Sequence, residues 1–336
     1  MLDQTALHVA AIGAQWKLVE KLVQLMPANM VIELDSKGFT CLHYVAFGKS
    51  VDAAKALVTK NSSVTQVPDF IGFTPLYHCI TSTRCKEMAW YLVFNTIIND
   101  RSACPFSDDE LSCLLGAGFH DIAMYILKRY PTAFSDSSFL MLFTLSELPS
   151  HFQSGHNFGF WKRCIYHCVP RELEYGNTIW NVLQTLVPSI KLARDAKLRH
   201  VSAVRVVEFV CSQVSANNDS QFWQSPNVGI IFNAISSGIV EIVSICFRLF
   251  PDLVWTHNPN EGYAAQVAIR NRQEKVFSLL CKMPSICKMQ VMHIFTSGPY
   301  TSTSHLAARF ASQVKSIPGA AFQMQRELQW FKVCFI

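Results

Sequence analysis

The sequence predicts an all-α repeat solenoid, and three observations carry the prediction. A short motif, Thr-x-Leu-His-x-small, recurs at near-constant spacing, and a proline closes the second half of several copies. Half of the 336 residues are hydrophobic and only 16% are charged, a balance that suits a continuous core and excludes a disordered chain. The length exceeds what one core usually serves, but stacked repeats escape that limit because each unit packs only on its neighbours.

The motif is clearest in Gly38 to Ala46, Gly-Phe-Thr-Cys-Leu-His-Tyr-Val-Ala. Thr5-Ala6-Leu7-His8-Val9-Ala10 precedes its Thr40 by 35 residues, and Thr74-Pro75-Leu76-Tyr77-His78-Cys79 follows by 34, with Tyr in the His position. Ser112-Cys113-Leu114-Leu115-Gly116-Ala117 reads as a fourth copy 38 residues further on. After a gap come Gly229 to Ala234, then Ala264 to Ile269 at 35 residues, then Ser302 to Ala307 at 38. Prolines at 27, 131, 251 and 284 keep the same frame, the last two 33 residues apart. A period of about 33 with a Thr-Pro-Leu-His-x-Ala core is the signature of an ankyrin array.

Taken in order, Thr5 to Ile12 reads as an inner helix. Gln15 to Met26 reads as its outer partner, with Leu18, Val19, Leu22, Val23 and Leu25 at helical spacing and Pro27 as the stop. Asp35-Ser36-Lys37-Gly38 and Asp69-Phe70-Ile71-Gly72 share a turn grammar: Asp bonds the backbone ahead of it and Gly takes the dihedral the turn demands. Asn258 to Gly262 is a looser third version. These are the projecting fingers of an ankyrin unit, after which Thr40 is expected to cap the inner helix through its hydroxyl, with Leu42 and Val45 turned into the stack. The histidines of the motif, His8, His43 and His305, are expected to bond backbone or the Thr hydroxyl and to serve the fold.

From about 135 to 226 the frame is lost, although the 117 residues from Ser112 to Gly229 leave room for about three units at the usual period. Phe139 to Leu148 is a candidate inner helix, 151 to 176 an irregular insertion rich in Gly, His and aromatics, and 178 to 214 a helical stretch. Outer helices are expected at Glu241 to Phe250 and Glu274 to Met283, and a last helix at Gly319 to Lys332. The domain reading is therefore N-terminal repeats over 1–134, a divergent helical segment over 135–226 and C-terminal repeats over 227–336.

Several functional classes lose support. The apolar run 229 to 250 is long enough to suggest a membrane span, but Ser236, Ser237, Gly238, Glu241 and Arg248 within it fit two antiparallel helices better. A net charge of +5 without runs of like charge gives little general attraction to nucleic acid. Twelve dispersed cysteines without a Cys-x-x-Cys pair read as reduced, buried thiols of a cytoplasmic protein. Phosphate-binding glycine loops, the zincin helix and the hydrolase elbow are not found, so no catalytic residue, metal site or cofactor is assigned.

Two clusters are kept as alternatives. His151, His156, Cys164, His167 and Cys168 offer soft ligands for zinc, but their spacing is not that of a structural zinc site. Tyr166-His167-Cys168 lacks the Asp and first His of an acyltransferase Asp-His-His-Cys motif. The run Lys191 to His200 places Lys191, Arg194 and Lys197 on one helix face that could meet phosphates weakly, without the aromatic interleaving of a nucleic-acid site.

The repeats, the proline-ended outer helices and above all the tail strings Ser304-His305-Leu306-Ala307-Ala308-Arg309 and Gln323-Met324-Gln325-Arg326-Glu327-Leu328-Gln329-Trp330-Phe331-Lys332 resemble one family: the plant ankyrin-repeat proteins with a C-terminal membrane domain named for its Pro-Gly-Gly motif. The resemblance implies an adaptor in stress or defence signalling, held at the cytoplasmic face of the plasma membrane. Family members continue past Trp-Phe-Lys into that motif and several membrane helices, whereas this sequence ends at Ile336, so anchoring is not carried over.

The function expected is a non-enzymatic protein-interaction scaffold that holds its partner on the concave surface of fingers and inner helices. Asp35, Ser36, Lys37, Phe39, Asp69, Phe70, Phe73, Asn260, Glu261 and Tyr263 are the expected contacts, aromatics as anchors and charges as selectors.

Overall fold

The structure, a computed structural model, describes residues 4–99, 104–134, 137–155, 159–168, 187–216, 222–223, 227–258, 262–283, 306–307 and 320–335. It divides into two units, Met1–Phe134 and Ser135–Ile336.

In the first unit, inner helices α1 (Ala6–Ile12), α3 (Cys41–Gly48), α5 (Pro75–His78) and α7 (Asp108–Ala117) alternate with outer helices α2 (Trp16–Leu25), α4 (Val51–Lys60), α6 (Lys86–Asn99) and α8 (His120–Arg129). α3 packs between α1 and α5, and α4 between α2 and α6. Leu42, Val45, Ala46, Ala53, Ala54 and Leu57 are wholly buried between the layers. Removing such area from water is the main stabilising term, about 1.5–3 kcal/mol for each large aliphatic side chain. Of the five apolar residues at helical spacing on the first outer helix, Val19 and Val23 are buried and Leu18 and Leu25 exposed.

The N-caps are Thr5, Thr40, Thr74 and Ser107, at intervals of 35, 34 and 33 residues. The fourth copy therefore starts five residues before Ser112, which lies inside α7. Ser107 Oγ accepts from the Glu110 amide (3.2 Å) and Glu110 Oε2 from the Ser107 amide (2.9 Å), a capping box that fixes the helix start. Leu114 to Ala117 imitates the motif in composition only. Thr40 and His43 form a capping box, in which His43 Nδ1 accepts from the Thr40 amide at 3.0 Å and lies 2.9 Å from the Thr40 hydroxyl. α5 runs into a π turn, Cys79–Thr83. That turn absorbs one extra residue: left-handed Arg84 follows its cap by ten positions, where Ala14 and Lys49 follow theirs by nine.

The second unit contains α9 (Ser138–Ser146), α10 (Phe160–Cys168), the long α11 (Pro188–Ala216), α12 (Gly229–Ser236), α13 (Val240–Leu249), α14 (Ala264–Arg270), α15 (Glu274–Cys281) and α16 (Ala320–Phe335). α9, α12 and α14 form one row, and α11, α13 and α15 the other. α9 and α11 are thus the inner and outer helices of one pair, separated in sequence by residues 147–187. The stretch read as irregular contains α10, while 169–186 lies outside the described residues. The apolar run 229 to 250 forms α12 and α13, and among the described residues no helix is long and apolar enough to cross a membrane. The third finger is a two-stranded antiparallel hairpin, β1 (His257–Asn258) and β2 (Gly262–Tyr263), with His257 opposite Tyr263.

Candidate partner-binding surface

Two fingers of the first unit are built alike from inside. Asp35 Oδ1 accepts from the amides of Lys37 and Phe39, both at 2.9 Å, and its own amide donates to the Phe39 carbonyl at 3.0 Å. Asp69 Oδ1 accepts from Ile71, Gly72 and Phe73, each at 2.9 Å. The second carboxylate oxygen of each Asp is taken nine residues on: Tyr44 Oη donates to Asp35 at 2.6 Å and His78 Nε2 to Asp69 at 2.7 Å. Burial works against ionisation of both carboxyls. It is outweighed at Asp35 by Tyr44 and the backbone amides, and at Asp69 by the Phe73 amide and His78, so both stay below the usual carboxylate range. Asp35 and Asp69, expected from the sequence as partner contacts, are buried. They hold the fingers and have no free oxygen to offer.

Histidines then tie each pair to the next finger. His8 Nδ1 lies 2.9 Å from Thr5 Oγ1 and its Nε2 3.0 Å from the Phe39 carbonyl; His43 repeats this with Thr40 Oγ1 at 2.9 Å and the Phe73 carbonyl at 3.2 Å. Because a carbonyl only accepts, the proton sits on Nε2 and Nδ1 is the acceptor. Burial lowers the His43 pKa to about 4. In the third copy, with Tyr77 in the His position, Thr74 Oγ1 donates instead to buried Glu110 of the next pair, whose pKa burial raises.

What faces outward is apolar and aromatic. Phe70 and Ile71 at the second fingertip are 69% and 79% exposed. Phe70 lies over the first finger, so a Cβ added to Gly38 would stand 2.6 Å from its backbone nitrogen. Ser36 and Lys37 are exposed at the first fingertip. Phe39 is half-buried, stacked on His43 at 5.2 Å and 6.0 Å from Phe47, joining finger to inner helix; Phe73 stacks on Tyr77 at 3.9 Å. In the first three pairs the residues four and seven positions after the capping Thr share a face. Val9 and Ile12, Tyr44 and Phe47, His78 and Thr81 occupy these positions, with Val9 and Ile12 at 57% and 50% exposure. Sequence reasoning missed Val9, Ile12, Phe47 and Ile71; counting from the capping Thr would have found the helical ones.

Other residues chosen from sequence are placed differently. Tyr263 is half-buried at the start of α14, its ring 4.9 Å from His257, while Asn260 and Glu261 lie outside the described residues. His151 is buried, Cys164, His167 and Cys168 are exposed on α10, and His156 lies outside the described residues. Among the described residues no three His, Cys, Asp or Glu are placed to share a metal ion. The basic face of α11 is partly used: Lys197 Nζ donates to the Tyr166 carbonyl at 3.0 Å and sits over that ring, and His200 Nδ1 is 2.9 Å from Tyr166 Oη. The described cysteines are free; Cys41, Cys79, Cys211 and Cys246 are buried, whereas Cys164, Cys168 and Cys281 are exposed.

Helix pairs stacked through Thr-capped inner helices and Asp-anchored fingers define an all-α ankyrin solenoid. A family model described as Ankyrin repeats (3 copies) matches residues 7–102. No curated protein matches the chain. Ankyrin repeats generally mediate protein–protein interactions, and proteins built from them are typically non-enzymatic interaction modules.

Proposed function

We propose that this chain is a protein-interaction scaffold whose partner seats on the finger and inner-helix face of the first unit. One observation carries the proposal: the exposed Phe70-Ile71 tip is mounted on a finger whose backbone is fixed by three hydrogen bonds to a single buried oxygen of Asp69. A rigid support lets large apolar side chains bind without a large ordering penalty, the usual character of an interface anchor. Ser36, Lys37, Phe39 and Phe73 complete the contact set with Val9, Ile12 and Ile71. In the second unit, Asn260, Glu261 and Tyr263 are the candidate contacts of its own finger.

The resemblance of the repeats and tail to the plant family supports a finer reading: an adaptor in stress or defence signalling, cytoplasmic and working at the cytoplasmic face of the plasma membrane. The test is proximity labelling in plant cells with the wild-type chain and a Phe70→Ser/Ile71→Ser variant. Both side chains are exposed, so circular dichroism should keep its shape with at most a small fall in the melting midpoint from the lost Phe70 contact with the first finger, and the main labelled proteins should drop out. An unchanged set of labelled proteins would place the contact surface elsewhere.

A further inference from the structure

The second unit contains a cleft of about 550 Å³ between the segment inserted into the split α9/α11 pair and the outer helices that follow it. On one side α10 contributes Arg163 and His167, four residues apart and so on one helix face. On the other, α13 contributes Ser244 and α15 contributes Lys275. Ser154 pins the sides together. Its hydroxyl accepts from the Val240 amide at 2.9 Å and donates to Glu241, its amide donates to Glu241 Oε1 at 2.9 Å, and its carbonyl accepts from Lys275 Nζ at 2.9 Å.

These bonds settle the electrostatics of the cleft. Among the described residues Glu241 is the one carboxylate in its lining, and both of its oxygens already accept from Ser154. Arg163, Lys275 and His167 are exposed to the opening, and among the described residues the Arg163 guanidinium makes no hydrogen bond or ion pair. Two fixed cations, an imidazole and the Ser244 hydroxyl thus face one hydrogen-bonded carboxylate, beside the positive end of α13. A guanidinium offers a planar fork to two oxygens of one anion, and a phosphate group keeps a third oxygen for Lys275 or Ser244, which a carboxylate lacks.

We propose that this cleft binds the phosphate group of a small ligand, free or esterified. Its volume lies in the range of about 300–1,000 Å³ that holds small molecules. Occupancy would join α10 to α13 and α15, which Ser154 bridges from the other side through Val240, Glu241 and Lys275.

Isothermal titration calorimetry of the full chain at constant ionic strength tests this, with inorganic phosphate, glycerol 3-phosphate and a phosphoserine hexapeptide as separate titrants. One small phosphate per chain should bind, and the tighter of the first two titrants identifies the free or the esterified form. Affinity should fall about tenfold or more in Arg163→Gln and in Lys275→Gln, through loss of a charge-assisted contact. It should hold in Arg199→Gln, an exposed change on α11 outside the lining. Arg163→Gln separates charge from structure, because among the described residues that side chain makes no hydrogen bond or ion pair. Absence of saturable binding, equal affinity in Arg163→Gln, or tighter binding of the peptide than of either small phosphate would overturn the proposal.

Discussion

The two units join their helix pairs by different chemistry. In the first, the joint is written into the first two repeats: a motif histidine donates to the carbonyl of the next finger, and the finger is held by its own aspartate. In the second, α12 and α13 have no side-chain cap of their own. The cap of α13 comes from Ser154, 86 positions upstream, and Gln273 Nε2 ties α15 to the Ser236 carbonyl at 2.6 Å. The comparison teaches that a stack needs its helix ends and inter-pair carbonyls satisfied, and that local and distant residues both meet this need.

If the histidine joint is the stabilising element of the first unit, acid should expose it first. The folded His43 pKa is depressed from 6.5 to about 4, so the unfolded chain binds more protons between those values. Stability should be full above pH 6.5 and fall toward pH 4, by on the order of 3 kcal/mol. Asp35 and Asp69, also depressed, add a loss only below about pH 4, where their unfolded forms take up protons. Urea midpoints against pH should show the slope, and His43→Gln should flatten it above pH 4; an unaltered slope in that variant would move the cause to another group.

Finger stacking gives the next largest effect. Gly38 and Gly72 occupy the same turn position with φ of +78° and +103°, but only Gly38 faces Phe70, while nothing lies within 4 Å of a Cβ at Gly72. Gly72→Ala should cost about 1 kcal/mol from the left-handed backbone alone, and Gly38→Ala about 2–3 kcal/mol because the stacked finger must also shift. Equal melting shifts for the two variants would show that the fingers do not support one another. The smallest effect belongs to the second unit: Ser154→Ala should remove about 1 kcal/mol of cap energy. Hydrogen exchange should quicken in residues 149–168 and at the start of α13 but not in fingers 35–39 and 69–73.

Much of the first unit was legible because its repeats state their chemistry in sequence: Thr for the cap, His for the rung, Asp and Gly for the finger. The fourth copy was misplaced because Ser107-Asp108-Asp109-Glu110 carries the cap without Leu or His, while Ser112 to Ala117 carries the composition without the cap. The candidate contacts were half legible. The property that made Asp35 and Asp69 visible, bonding the backbone ahead, also uses up their oxygens, whereas Phe70 was visible as an apolar residue at a turn tip. The split pair was hidden because periodicity is read along the chain, and α9 and α11 meet only in space.

The split pair also marks where this architecture accepts new material. The junction between α9 and α11 carries residues 147–187 while both helices keep their places in the two rows. It is a ready grafting position: a fluorescent reporter or a foreign loop spliced there would enter at a break the stack already spans, leaving every Thr cap and Asp finger of the first unit untouched.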